Sequence, residues 1–181
     1  MRILSVFFLI IISCDNSSLP KQKGFFAPEF SYPKYENQRL CNFKFVRNSA
    51  TNIIEINDCN HEIYYNELNA KIYLNKINLN KNISELTLKF DEKVFNNSEY
   101  ADQILTSEYS NPTKRVYSKI YFFVGDSPSN IQFYLTDSVS NYLSASLYFN
   151  SKPNYDSLLP YIHYIRSDIK KIIESFDWIN E

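Results

Sequence analysis

The sequence predicts an α+β fold: an antiparallel sheet covered by helices as an αβα sandwich, closed by a C-terminal amphipathic helix. Three observations carry that expectation. Ile131, Phe133 and Leu135 alternate with Gln132, Tyr134 and Thr136, the two-residue period of a strand with one buried face. Leu143, Ala145, Leu147 and Phe149 alternate in the same way with Tyr142, Ser144, Ser146 and Tyr148. From Leu158 the period turns helical: Leu158, Ile162, Ile165, Ile169, Ile172, Ile173 and Phe176 recur at steps of three and four, with His163, Arg166, Lys170, Lys171 and Glu174 opposite. An amphipathic helix laid on an amphipathic sheet buries both stripes.

The elements before this unit read in order. Asp15 to about Lys34 holds Pro20, Gly24, Pro28 and Pro33 without a sustained period, so it is a tether, with Phe25, Phe26, Phe30 and Tyr32 expected against the domain surface. Cys41 to Arg47 reads as a first strand, Ile53 to Ile56 as a second, and a turn follows at Asn57-Asp58. Ala70, Ile72 and Leu74 mark a third. Asn80 or Asn82 caps a helix carrying Ile83, Leu86, Phe90 and Val94, which Asn96-Asn97 breaks. Ala101, Ile104 and Leu105 suggest a further helical piece over 100–105. Arg115 to Val124 is a central strand, Gly125-Asp126-Ser127-Pro128 turns the chain back, and Thr136 to Asn141 joins antiparallel neighbours. Ser157 as N-cap would place Pro160 in the first helical turn.

Composition bounds the function. The chain of 181 residues is 44% hydrophobic and 17% aromatic, which fits one packed domain. A net charge of −1 makes it no general nucleic-acid binder, and two glycines leave little room for phosphate-cradling loops. Met1-Arg2 precedes an apolar run from Ile3 to Ile12, interrupted only by Ser5, and then Ser13-Cys14. That is an export signal, too short for a membrane-spanning helix, which needs about 20 residues. Ile11-Ile12-Ser13-Cys14 resembles the bacterial lipobox, in which the cysteine is acylated and becomes the mature N-terminus. The alternative is a plain signal peptide with Cys14 there by chance. The expected organisation is therefore a lipoprotein signal peptide at 1–13, a lipidated N-terminus and tether at 14–34, and one globular domain at 35–181. Two or three acyl chains, at about 0.8 kcal/mol per buried methylene, anchor a protein stably. With Cys14 acylated, Cys41 and Cys59 remain as an even pair in an exported protein, which predicts a disulfide; two buried free thiols are the alternative.

Further residues carry a resemblance. Gln132, Phe133, Leu135, Thr136, Asp137 and Ser138 match a QFFLTDS-like strand end. Leu147-Tyr148-Phe149-Asn150 matches an ALYFN-like strand. Pro153, Asn154, Asp156, Ser157, Leu158 and Pro160 fit PN-x-DSL-x-P, Asp168 and Ile169 match within the helix, and Glu174, Phe176 and Trp178 fit its E-x-F-E-W end. Pro20 to Phe26 looks like PKPKGYF, Cys41 and Cys59 fall at a C-P-F-x-F strand start and a P-C-W-x-N segment, and Ala70 to Leu74 is similar to A-x-I-H-L. With these motifs the chain resembles the gliding motility lipoprotein GldD family of Bacteroidetes, over nearly the whole mature length but thinly between Lys76 and Thr113. It departs at Ser144-Ala145, where the family has Arg-Gly, at Asn60 for Trp and at Asn66 for Pro. The strand–loop–helix at the C-terminus is also similar, at the level of fold, to the PsbP-type sandwich.

The resemblance implies a non-enzymatic lipoprotein of the cell envelope, anchored in a lipid bilayer through Cys14, with its folded domain in the periplasm. It implies docking to other envelope proteins of the gliding motility apparatus and its associated type IX secretion system. The residues themselves suggest no cofactor, metal or catalytic set. His61 and His163 are the only histidines; His163 falls on the polar helix face, and His61-Glu62 is too little for zinc, which needs three or four ligands. Asp137-Ser138 and Asp156-Ser157 read as turn and cap residues, and both triplets, with Val139 and Leu158, resemble O-glycan attachment sites. Tyr142, Tyr148, Tyr155, Tyr161 and Tyr164 fall at or near the surface of the terminal unit and are the candidate partner surface, since surface tyrosine is common at interfaces. The competing function is a periplasmic ligand-binding domain or hydrolase, which would need a deep pocket with a perturbed acid or base beside His61.

Overall fold

The computed structural model describes residues 28–57 and 59–179. Cys14, the signal peptide, Phe25 and Phe26 lie outside the described residues. Among those described, the elements in chain order are β1 (Tyr35–Leu40), β2 (Phe43–Asn48), β3 (Asn52–Asn57), β4 (Asn60–Tyr65), a 3-10 turn (Asn66–Leu68), β5 (Ala70–Asn78), α1 (Ile83–Ser98), β6 (Gln103–Asn111), β7 (Val116–Val124), β8 (Ile131–Thr136), β9 (Asn141–Phe149), α2 (Tyr155–Ser175) and β10 (Asp177–Trp178). None of these helices is long and apolar enough to cross a membrane.

Seven strands form one antiparallel sheet in the order β3-β4-β5-β9-β8-β7-β6, and a smaller sheet has the order β1-β2-β10. The α+β expectation holds. The alternation that marks each strand decides what it buries. Ile72 and Leu74 on β5, Ile131, Phe133 and Leu135 on β8, and Leu143, Ala145 and Leu147 on β9 all point to one face. There they meet Ile162, Ile165, Ile169, Ile172 and Ile173 of α2, together with Phe43 and Phe45 of the small sheet. Phe176 and Trp178 end the chain in this core: Phe176 stacks on Phe43 with centroids 5.4 Å apart, and Trp178 meets Phe176 edge-on at 4.7 Å. Phe176 takes up extended backbone, which stops α2 and carries the chain into β10 beside β2. The opposite face is covered by α1 alone, whose Phe90 and Val94 pack on Tyr121 and Phe123 of β7, with Tyr134 of β8 partly buried beside them.

Five local expectations need correction. Cys41 lies not in a strand but in the two-residue turn between β1 and β2, where its φ of 46° is left-handed. β1 escaped notice because Tyr-Glu-Asn-Gln-Arg-Leu is polar on both faces until Leu40, as an outer strand can be. β4, with His61, Ile63 and Tyr65 buried, is a strand where the sequence predicts none. The helical piece over 100–105 is instead the start of edge strand β6, where adjacent Ile104 and Leu105 point to opposite faces. The N-cap of α2 is Asn154, whose side chain accepts the Ser157 N–H at 3.2 Å, so Pro160 falls beyond the first turn.

Candidate docking surface

Cys41 and Cys59 are joined by a disulfide. Each sits at a hairpin tip with positive φ, 46° and 73°, so the bond ties the β1–β2 hairpin of the small sheet to the β3–β4 hairpin at one margin of the large one. The enclosed segment between them has a sequence separation of 18, for which chain entropy gives a stabilisation of about 3 kcal/mol.

A polar knot fastens the same layers further along. Asp168, on the buried side of α2, accepts the Tyr35 hydroxyl at 2.8 Å and the Asn48 side-chain amide at 3.0 Å, and Tyr65 brings another hydroxyl to the same carboxylate. Asn48 also donates to the Tyr164 hydroxyl at 2.9 Å. Burial pushes the Asp168 carboxyl above its ordinary value, against the pull of these donors. No cation faces it in this set. The knot joins β1, β2 and β4 to α2, so its chemistry is spent on holding elements together.

The five tyrosines do not form one surface. Tyr142 is buried at 1% exposure, stacked on Tyr134 at 5.2 Å between α1 and the sheet, because its position on β9 faces the helix side. It is no part of an outer patch. Tyr161 and Tyr164 are met by the chain's own leading segment: Phe30 stacks on Tyr164 at 4.6 Å and meets Tyr161 edge-on at 5.8 Å. Tyr155 is half-buried against the core, and its N–H donates to Asp126 at 2.7 Å. Tyr148 lies on the other face of the sheet.

On that face Tyr148 has company that the sequence reading missed. Tyr73, half-buried on β5, meets Tyr148 edge-on at 5.6 Å, Lys71 stands over the Tyr73 ring at 4.6 Å, and Glu62 pairs with Lys71 at 3.3 Å. Tyr64 is set opposite Lys71 in the register, and Ile54 opposite Glu62. Ile54 is 45% and Ile56 50% exposed. The core under α1 draws its buried cluster residues from β7, so the β3–β4–β5 side of this face carries half-buried aromatic and paired charged side chains beside the exposed Ile54 and Ile56. A signal was present: Tyr64, Lys71 and Tyr73 alternate with the buried Ile63, Ile72 and Leu74.

The histidines assemble no catalytic pair. His61 is buried, with Nδ1 3.1 Å from the Cys59 carbonyl, whereas Glu62, next along the strand, points to the other face and binds Lys71. His163 is exposed on α2. Among the described residues no group of three or more His, Cys, Asp or Glu is placed to hold a metal. Asp137 serves its own loop. Burial raises its carboxyl, but the N–H groups of Asn141, Val139 and Ser140 and the Asn141 amide outweigh that and hold it below the ordinary value.

The model of the family described as gliding motility lipoprotein GldD matches residues 15–178. No curated protein matches the chain. The match runs from the residue after Cys14 to the tryptophan that closes the core, and on that span the chain belongs to the gliding motility lipoprotein GldD family.

Proposed function

We propose that this protein is a non-enzymatic docking component of the gliding motility apparatus and its associated type IX secretion machinery. A signal peptide over 1–13 directs export, and acylated Cys14 holds the domain on a membrane of the envelope, with residues 35–181 folded on the periplasmic side. The tether over 14–34 sets the reach of the domain, and lipid confinement raises its effective concentration for partners at the same membrane. The observation that carries the docking reading is the open sheet face of Tyr73, Tyr148, Lys71 and the exposed Ile54 and Ile56. Aromatic side chains flanked by exposed apolar ones resemble the centre of a protein interface more than an ordinary surface.

The test combines the open face with the anchor. Cells carrying Tyr73→Ala with Tyr148→Ala at normal abundance are expected to lose colony spreading and to recover fewer envelope proteins with the chain on affinity purification. Cys14→Ala is expected to release the chain from membranes and to stop incorporation of labelled palmitate. Full spreading, secretion and co-purification in the double tyrosine variant would overturn the docking face. Membrane association unchanged in Cys14→Ala would overturn the anchor.

A further inference from the structure

The two margins of the seven-stranded sheet are built differently. At one, β3 is six residues long, its register slips at Glu55/Asn57, and its hairpin tip is held by the disulfide. Such irregularity is how edges avoid pairing with foreign strands. At the other, β6 runs nine residues in unbroken register with β7, from Gln103↔Val124 to Asn111↔Val116. Its sequence, QILTSEYSN, has no proline, lysine or glycine, and among the described residues no strand pairs with its outer side. The four consecutive residues Leu105, Thr106, Ser107 and Glu108 are all exposed.

Beside β6 on the inner face lies a groove of about 510 Å³ whose far wall is α2. That wall presents His163, Arg166, Lys170 and, at its far end, Glu174. The Arg166 guanidinium lies over the Phe122 ring at 4.1 Å, and among the described residues no carboxylate is within ion-pair distance of it. Lys170 has only a loose exposed pairing with Glu174 at 3.8 Å. The side chains that β6 turns toward the groove, Ser107 and Tyr109, bring no acid. Its one acid, Glu108, borders the groove, but strand alternation turns its carboxylate to the opposite face, across from Lys119 and near Tyr121 and Tyr134.

We infer that β6 accepts an extended strand of a partner protein, whose alternate acidic side chains point into the groove toward Arg166. Main-chain hydrogen bonds along the edge supply affinity without sequence demands, and the unpaired Arg166 selects the strand, which is the division of labour in strand addition. The same charge argues against a second copy of this chain as occupant. A β6–β6 pairing would bring only Ser107 and Tyr109 of the second strand toward the groove, and so no carboxylate to Arg166. This edge is at the margin opposite β3 and shares no residue with the open face of Tyr73 and Tyr148, so the two can fail separately.

The experiment uses the full chain in detergent and two labelled peptides of the length of β6, one alternating Glu with Val and Thr, the other alternating Lys in the same positions. Fluorescence anisotropy is expected to show saturable binding of the Glu peptide, about tenfold tighter than of the Lys peptide. Arg166→Glu is expected to reverse that order, and Ser107→Glu, which sets a carboxylate in the groove, to weaken the Glu peptide about as much. Both positions are exposed, so folding should survive, as circular dichroism can verify. Equal affinity for the two peptides, no binding of the Glu peptide, or a Glu preference untouched by Arg166→Glu would overturn the proposal. So would a concentration-dependent dimer that Ser107→Pro dissolves, which would give the edge to a second copy.

Discussion

The two faces of the large sheet are covered to different depths. On the inner face α2 lays five isoleucines across β5, β8 and β9, the small sheet closes over the remainder, and a disulfide and the Asp168 knot stitch the layers. On the outer face α1 buries only Phe90 and Val94, while leaving Leu88 60% and Phe95 76% exposed. Beneath it Lys93 reaches Ser146 at 2.8 Å, and burial lowers its pKa with no carboxylate to offset the cost. The difference teaches where a docking domain can keep surface in reserve. One face is deep enough to hold the fold, so the other need not be closed.

Core truncation should separate the faces most sharply. Phe133→Ala, at a position with no exposure in the inner core, is expected to cost about 4 kcal/mol, and Phe90→Ala under α1 about 3 kcal/mol. Urea unfolding measures both. An equal or larger loss at Phe90 would erase the contrast. Next comes the clamp: Cys41→Ser with Cys59→Ser is expected to lose about 3 kcal/mol, with a steeper loss of protection from amide exchange in β1–β4 than in β6–β8.

The Asp168 knot is expected to be worth about 2 kcal/mol in Asp168→Ala, which strands the buried Asn48 amide and removes the acceptor of the part-exposed Tyr35 hydroxyl. Its pH dependence has a sign opposite to that of Asp137. The Asp168 carboxyl is raised in the folded state, so the fold keeps a proton that the unfolded chain has released, and stability from this group falls as pH rises through and above the ordinary carboxylate range. The Asp137 carboxyl is lowered, so its contribution is present above that range and is lost as pH falls. Relative to the parent, Asp168→Asn should therefore gain stability with rising pH, and Asp137→Asn should lose it. Unfolding curves across the acid range decide both.

The inner face was legible because its residues obey a period. Ile131 to Leu135, Leu143 to Phe149 and the isoleucines of α2 each have one buried side, and a buried side leaves alternation in the sequence. β1 and β6 have little or none, so no pattern marked them, and Ile104-Leu105 imitated a helix. The pairing of Cys41 with Cys59 was legible from cysteine count and compartment, although the alternation of Cys41, Phe43 and Phe45 predicts a strand where the structure has a hairpin tip. The polar knot was not legible, since Tyr35, Asn48, Tyr65 and Asp168 converge from four elements and no local spacing records that. Of the five tyrosines singled out, Tyr142 failed because β9 is covered on both sides there, and periodicity names a face without saying what lies on it.

The smallest effect tests whether the open face is held in reserve. Tyr73 and Tyr148 touch edge-on across β5 and β9, and such a pair is worth about 0.5–1.5 kcal/mol beyond burial. Both rings are partly exposed and Lys71 already covers Tyr73, so the coupling should fall at the low end of that range. A double-mutant cycle with Tyr73→Ala, Tyr148→Ala and the pair measures it by urea unfolding. A coupling near 0.5 kcal/mol, together with a large loss of co-purifying envelope proteins, would mean that these rings contribute little to the fold and much to contact. A coupling of several kcal/mol would instead place them in the core's service, and the outer face would then be a second structural layer like the inner one.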